Sequence, residues 1–312
     1  MNLDLSEESV EYGRVASRAI ESAGGDVLVQ TAEADPGHRD RLVAPVLEGL
    51  GAWDLEPREG PDQLEAAAAL CRTAGYWGLD YPVAERLCRP NGLDVDGLVV
   101  VAGRRPVARV GSLDLTWAAV NLDGERSLAR AKPLTASARK TTFVTELAVE
   151  PGVVSDPRDL SLGLVLPCWT LLGMLDRALE LTRIYVKERK QFGQPLSAFQ
   201  GVQFQLTDAE VERIGLEELA KYALWSVESN RDESTDDALA LRIAAIEAAD
   251  TVFRICHQLH GAIGFCDETT LSWLSRYSLP LRRLPLGLSG TREALTRRIW
   301  RTGLAGLFGG PA

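Results

Sequence analysis

The hydrophobic positions of this chain change their period twice. Over roughly the first ninety residues they recur at helical spacing. Ser6 stands where it caps a helix whose first turn carries Glu7 and Glu8, residues 63–73 ("QLEAAAALCRT") are strong helix formers, and Pro82 sits at a helix start ahead of "VAERLCR". The Gly, Asp and Pro of "EPREGPD" mark a loop between them. From residue 93 to about 155 the runs shorten. "GLVVVAG", "PVARVGSL", "LTWAAVNLDGERSLARA" and "TTFVTELAV" are rich in Val and Thr and punctuated by Gly, Asp and Pro, and "DPRD" closes the stretch. These are strand and turn signals. From about Ser161 the helical period returns, predicting helices over 164–190, 200–230, 238–260 and around 292–301. The pattern predicts a mainly α protein with a small central β domain, divided as 1–92, 93–158 and 159–312, the last a four-helix bundle.

Two segments are not explained by bundle packing. "KERKQFGQPLSAFQGVQFQL" (187–206) places Phe-Gly-Gln-Pro where a helix that only packs would carry neither Gly nor Pro. "CHQLHGAIGFCDE" (256–268) ends a helix in Gly261, Ala262 and Gly264, which leaves backbone groups open to a ligand.

At 312 residues the chain can bury a large core, and 46% apolar with 25% charged residues is ordinary for a globular protein. A formal charge of −10 opposes nonspecific binding to nucleic acid or an anionic membrane surface. No apolar run approaches the roughly 18–20 residues of a membrane span, and the acidic N-terminus lacks a basic leader. Five cysteines without paired ligand spacing read as reduced thiols in a cytoplasmic protein, and three histidines give a metal centre little material, so no metal site is expected.

In this order, after a helical and then a β-rich half, the two segments resemble the acyl-CoA dehydrogenase family, most strongly over residues 161–300. The resemblance implies a helical N-terminal domain, a central β domain and a C-terminal four-helix bundle that oligomerises. It also implies that the Arg-x-x-Phe-Gly turn and the Gln-x-x-Gly-Gly-x-Gly-like segment of one subunit reach a neighbour's FAD. Carried over, Arg189 meets the pyrophosphate, Phe192 packs on the cofactor, Gln200 and Gln258 hydrogen-bond to it, and the backbone at Gly261 and Ala262 lines the site. Arginine offers a planar fork of donors for phosphate oxygens, and small residues let a pyrophosphate approach the main chain. The plain alternatives are a surface ion pair of Arg189 with Glu188 or Glu210, and a packed helix-end role for His260.

The catalytic part of the resemblance is incomplete. The family's base is a glutamate before the last helix, where "LSGT" (288–291) places Ser289, and no Asp or Glu lies between Glu268 and Glu293. The alternative family position, before the first bundle helix, falls on Gly163; the nearest acid, Asp159, is expected in a loop about one helical turn away. Glu293 is a second minor candidate. No strand and loop of the kind that holds the isoalloxazine ring is found, "LDLTW" (113–117) being a poor echo. This combination resembles the short, catalytically incomplete subunit of the α2β2 heterotetrameric acyl-CoA dehydrogenases of actinobacterial steroid degradation. It implies a lipid-degrading flavoprotein complex in which the partner supplies the base and most flavin contacts, and acts on an acyl-CoA ester. A stand-alone flavoenzyme using Glu293 or Asp159, or a non-catalytic scaffolding homologue, is the alternative. The C-terminal basic cluster, including Arg292, Arg297, Arg298 and Arg301, suits either acidic ligands (CoA phosphates, a partner's carboxylates) or solvated helix ends.

Overall fold

The computed structural model describes residues 3–133, 143–154 and 156–303. Five helices come first: α1 (Glu7–Ser22), α2 (Asp26–Ala34), α3 (Arg39–Glu48), α4 (Pro61–Tyr76) and α5 (Val83–Leu87). The Ser6 hydroxyl accepts the Ser9 N–H at 3.3 Å, capping α1 as its sequence predicts. Pro61 opens α4 from the first turn, where a missing N–H costs nothing.

A five-stranded sheet follows, β1 (Gly97–Val100), β2 (Val107–Ala108), β3 (Thr116–Val120), β4 (Arg126–Ala131) and β5 (Thr145–Val153), in the order β1-β3-β4-β5-β2. Only β1 and β3 run parallel; the other pairs are antiparallel. Residues 117–120 of β3 are all buried, so the centre of the sheet is covered on both faces. Gly97 lets β1 pass over Trp117: a Cβ there would lie 2.7 Å from the indole and 2.6 Å from the Glu85 carbonyl oxygen. The first two residues of the expected strand 141–149 lie outside the described residues.

The remainder is α6 (Arg158–Glu188), a two-stranded hairpin β6 (Lys190–Gln191) and β7 (Gln194–Pro195), α7 (Gln200–Glu228), α8 (Ser234–His260), α9 (Thr270–Arg283) and α10 (Leu288–Thr302). Three expectations need correction. The described C-terminal part has five helices rather than four. α9 was missed because Thr, Ser, Trp, Tyr and Pro280 are poor helix formers, although Leu271, Leu274, Tyr277, Ser278 and Leu281 bury one face at helical spacing. α6 begins six residues earlier than expected, so Asp159 lies in its first turn and not in a loop. Finally, α6 is long and apolar enough to cross a membrane, contrary to the sequence expectation, but 78% of its most apolar window is buried among the other helices. It is a core helix.

α6 packs on α4 and α8 at the centre of one hydrophobic core that also takes in the sheet. Its crossing with α4 is backbone against backbone. A Cβ on Gly75 would lie 1.8 Å from the Thr170 carbonyl oxygen, and one on Gly173 would lie 1.8 Å from that of Arg72. Glycine at both positions sets how closely these helices approach.

Candidate functional site

The C-terminus of α6 leads directly into the first motif. Arg189 turns extended (φ −72°, ψ 117°) while its N–H still bonds the Tyr185 carbonyl at 2.8 Å, and the Leu196 N–H closes the hairpin base onto the Arg189 carbonyl at 2.8 Å. Phe192 (φ 51°) and Gly193 (φ 84°) form the two-residue turn between β6 and β7. Consecutive positive φ values make this the tight turn that matches strand twist, but a phenylalanine there is disfavoured by roughly 1–2 kcal/mol. Burial does not offset that cost: Phe192 is 89% exposed and touches Phe199 edge-on, with centroids 6.2 Å apart. The fold holds an aromatic ring in solvent at a backbone position that suits glycine.

Arg189 is exposed, and its guanidinium makes no ion pair or hydrogen bond among the described residues. The alternative surface pairing does not form there; Glu210 is taken by Arg183 and Arg213. Gln200 is the first residue of α7, exposed, at a helix N-terminus that has no side-chain cap.

The second motif sits at the end of α8. His260 stacks on Tyr185 (centroids 4.4 Å, planes 16° apart), and the Tyr185 hydroxyl donates to the His260 carbonyl at 3.3 Å. The His260 Nδ1 lies 2.9 Å from the Cys256 carbonyl, and burial holds its pKa below the ordinary histidine value. It is therefore a packed, neutral helix-end residue, the plainer of its two sequence readings. Gly261 ends the helix at φ 65°, ψ −146°, a conformation essentially reserved for glycine. The 3-10 turn Gly261–Phe265 then folds back, stacking the largely exposed Phe265 on His257 at 4.3 Å. A Cβ on Gly264 would meet His260 Cβ at 2.9 Å. Gln258, Gly261 and Ala262 are exposed on this end.

Tyr185 and His260 thus join the two motifs, although 75 residues separate them in sequence. Tyr185 was not singled out from sequence; its place one turn before Arg189 was the available signal. The donor set suits an anionic dinucleotide, since it presents one free guanidinium, two primary amides and exposed backbone beside small residues.

The candidate base positions are of another kind. Ser289 is exposed in the first turn of α10, and a hydroxyl cannot serve as a carboxylate base. Gly163 packs against β1: a Cβ would lie 2.6 Å from Val100 Cγ2, beside a cavity of about 50 Å3. No carboxylate side chain fits there. Asp159 is fully buried, its Oδ1 accepting from Arg58 Nη2 at 2.9 Å and its Oδ2 from Arg126 Nε at 2.6 Å. Both oxygens are committed to guanidinium groups that tie the α3–α4 connection and β4 to α6. Glu293 is 71% exposed and pairs with Arg297 one turn along α10.

Residues 160–304 match the family model for the acyl-CoA dehydrogenase C-terminal domain. Acyl-CoA dehydrogenase FadE28 of Mycobacterium tuberculosis is 38% identical over 92 residues, 30% of this chain and 27% of that protein. The C-terminal part of this chain is thus homologous to the acyl-CoA dehydrogenase C-terminal domain. Such matches span only about a quarter of the length of these curated relatives. A longer alignment, 27% identical over 297 residues, relates 92% of this chain to 74% of FadE27 from the same organism. Among solved structures, the ChsE4-ChsE5 complex from Mycobacterium tuberculosis contains a chain of TM-score 0.76 and 17% identity, with 97% of this chain and 100% of that chain covered. A variant of the Tcur3481-Tcur3483 steroid ACAD contains one of TM-score 0.76 and 19% identity, covering 95% and 98%. At those identities the likeness establishes the fold: the mainly helical acyl-CoA dehydrogenase architecture, with a central β half-barrel and a C-terminal helical domain.

Proposed function

We propose that this chain is the short subunit of a heteromeric, FAD-dependent acyl-CoA dehydrogenase, completing its partner's cofactor site while the partner supplies the base. The observation that carries the reading is the Arg189–Phe192 hairpin, a guanidinium without an ion-pair partner among the described residues and an aromatic ring held in solvent. Arg189 would pair with the pyrophosphate of FAD, Phe192 would cover the cofactor, and Gln200, Gln258 and the backbone at Gly261 and Ala262 would fix its position. Bound FAD supplies the two-electron acceptor for α,β-desaturation of an acyl-CoA thioester. This chain's residues bind and orient it; none takes the α-proton, because Ser289 is a hydroxyl, Gly163 has no room, Asp159 is locked and Glu293 stands in solvent.

Support for a partner comes from the apolar residues that α7 leaves in solvent, Phe204, Val211 and Ile214, and from the similarity in fold to chains of the ChsE4-ChsE5 complex. The similarity to a steroid ACAD supports a bulky steroid side-chain CoA ester as substrate. An α2β2 assembly in the cytoplasm fits the free cysteines, four of them buried. The test is FAD stoichiometry. Purified alone the chain should be colourless, and with its dehydrogenase-like partner it should give a yellow complex with one FAD per pair. A yellow homo-oligomer with one FAD per chain would overturn the proposal.

A further inference from the structure

The basic cluster of α10 is not used by the flavin reading, and part of it faces a cavity. Ala294, Arg297, Arg298 and Arg301 recur at i, i+3, i+4 and i+7 and form one wall of a cleft of about 350 Å3 between α10 and the outer corner of the sheet. Leu122 of the β3–β4 turn, Leu160 of α6 and Leu239 of α8 also line it. We propose that this cleft binds a phosphorylated nucleotide, with its phosphate groups on the three arginines and its base against the apolar lining.

Three observations carry the proposal. First, the inward stripe of α10 changes character along its length. Thr291 is fully buried and Leu295 packs on the core, but the next position on that stripe is Arg298. An apolar residue there would continue the contact; an arginine leaves a polar-walled space in its place. Second, two of the guanidinium groups are weakly committed: among the described residues Arg297 has only the exposed pair with Glu293 and Arg301 has no ion-pair partner, while Arg298 is held by Asp236. A phosphate dianion competes well with an exposed carboxylate, since it offers more acceptor oxygens and greater charge to the guanidinium fork. A basic residue near a helix C-terminus favours the macrodipole, which accounts for Arg301 but not for three arginines along one cleft. Third, the size and lining discriminate among anions. The cleft lies at the lower end of the roughly 300–1,000 Å3 found for small-molecule sites, so inorganic phosphate would leave most of it unfilled. Its apolar lining suits a base. The single acid in the lining, Asp123, is suited to a ribose hydroxyl.

A free nucleotide and the nucleotide end of coenzyme A share this chemistry. The full-length chain is therefore titrated with ADP, coenzyme A, adenosine and inorganic phosphate, with binding followed by calorimetry and Trp fluorescence at two salt concentrations. ADP and coenzyme A should bind saturably and more weakly at high salt; adenosine and phosphate should each bind at least tenfold more weakly than ADP. Tighter binding of coenzyme A identifies the CoA end as the source, and equal affinity identifies a free nucleotide. Arg297→Ala and Arg301→Ala should each lower ADP affinity about tenfold, while Arg292→Ala, whose residue pairs with Glu247 outside the cleft, leaves it unchanged. Absence of saturable binding at millimolar nucleotide, or binding indifferent to both arginines, overturns the proposal. So does a chain that binds no nucleotide but loses partner assembly in the Arg297→Ala/Arg301→Ala double variant, which would give this face to an acidic protein surface. FAD loading of the complex should be the same in Arg301→Ala as in wild type, so the cleft and the flavin reading fail independently.

Discussion

The two ends of α6 are built on opposite terms. At its start the carboxylate is satisfied inside the chain: Asp159 lies between Arg58 and Arg126, and a Cβ on Gly163 would lie 2.6 Å from Val100 Cγ2 of β1. At its end, one turn past Tyr185, Arg189 has no partner among the described residues and Phe192 stands in solvent in a backbone conformation that disfavours it. The same helix is locked where a catalytic carboxylate would be expected and open where a dinucleotide would be gripped. Satisfied groups stabilise the fold and free ones await a ligand. That contrast is what makes the chain read as half of a cofactor site.

Substitutions at the two ends should therefore produce effects of different kinds. The largest is expected at Asp159→Ala, which leaves the buried Arg126 guanidinium without its counter-charge and Arg58 with only its longer pair to Asp156. A loss of about 3–5 kcal/mol is expected in denaturant unfolding. Unchanged stability with lost activity in the complex would instead make Asp159 a catalytic acid and erase the contrast. At the open end, Arg189→Ala should leave unfolding within about 0.5 kcal/mol of wild type. FAD retention by the complex should fall on the order of ten- to hundredfold, from a charge-assisted hydrogen bond worth about 1.5–3 kcal/mol. A complex that keeps its FAD would sink the half-site reading.

Two smaller effects sharpen the comparison. Gly163→Ala should destabilise by about 1–3 kcal/mol through overpacking on Val100, and Gly163→Glu should cost more without creating activity in the isolated chain. Phe192→Asn should stabilise the isolated chain by about 1 kcal/mol, relieving the positive φ, yet weaken FAD retention. Loss of stability in that variant would mean that the ring packs within this chain. The smallest effect concerns pH. Burial depresses His257 and His260 below 6.5, so they stay neutral in the folded chain while the unfolded chain takes up protons. Their contribution is undiminished above pH 6.5 and is lost as pH falls through that value toward the folded pKa values. Urea midpoints measured between pH 8 and 5.5 check the sign, and a His260→Gln variant should flatten the slope.

The order of helical, β-rich and again helical segments was legible because the apolar period itself changes, and the hairpin was legible because Gly and Pro interrupt a strong helix. α9 was not, since tertiary burial of Leu271, Leu274 and Leu281 outweighs poor local propensity there. The Asp159 pair was equally hidden. Its two arginines come from positions 101 and 33 residues earlier, and no local pattern announces a buried ion pair assembled from three separate segments. In the candidate site, Arg189 and Phe192 could be named from spacing, but the Tyr185–His260 stack that joins the motifs is a contact between distant turns.

The paired glycines where α4 crosses α6 carry a consequence for how this chain can change over time. At Gly75 and at Gly173 the space a methyl group needs is already filled by a carbonyl of the opposite helix. No sequence of single tolerated substitutions leads away from either glycine unless the helices first move apart, and moving apart would open the core around the fully buried Trp169 and Leu70. The N-terminal helices are therefore not a module that recombination can exchange freely. Any graft or truncation that keeps α6 must bring a surface with the same bare backbone to meet it.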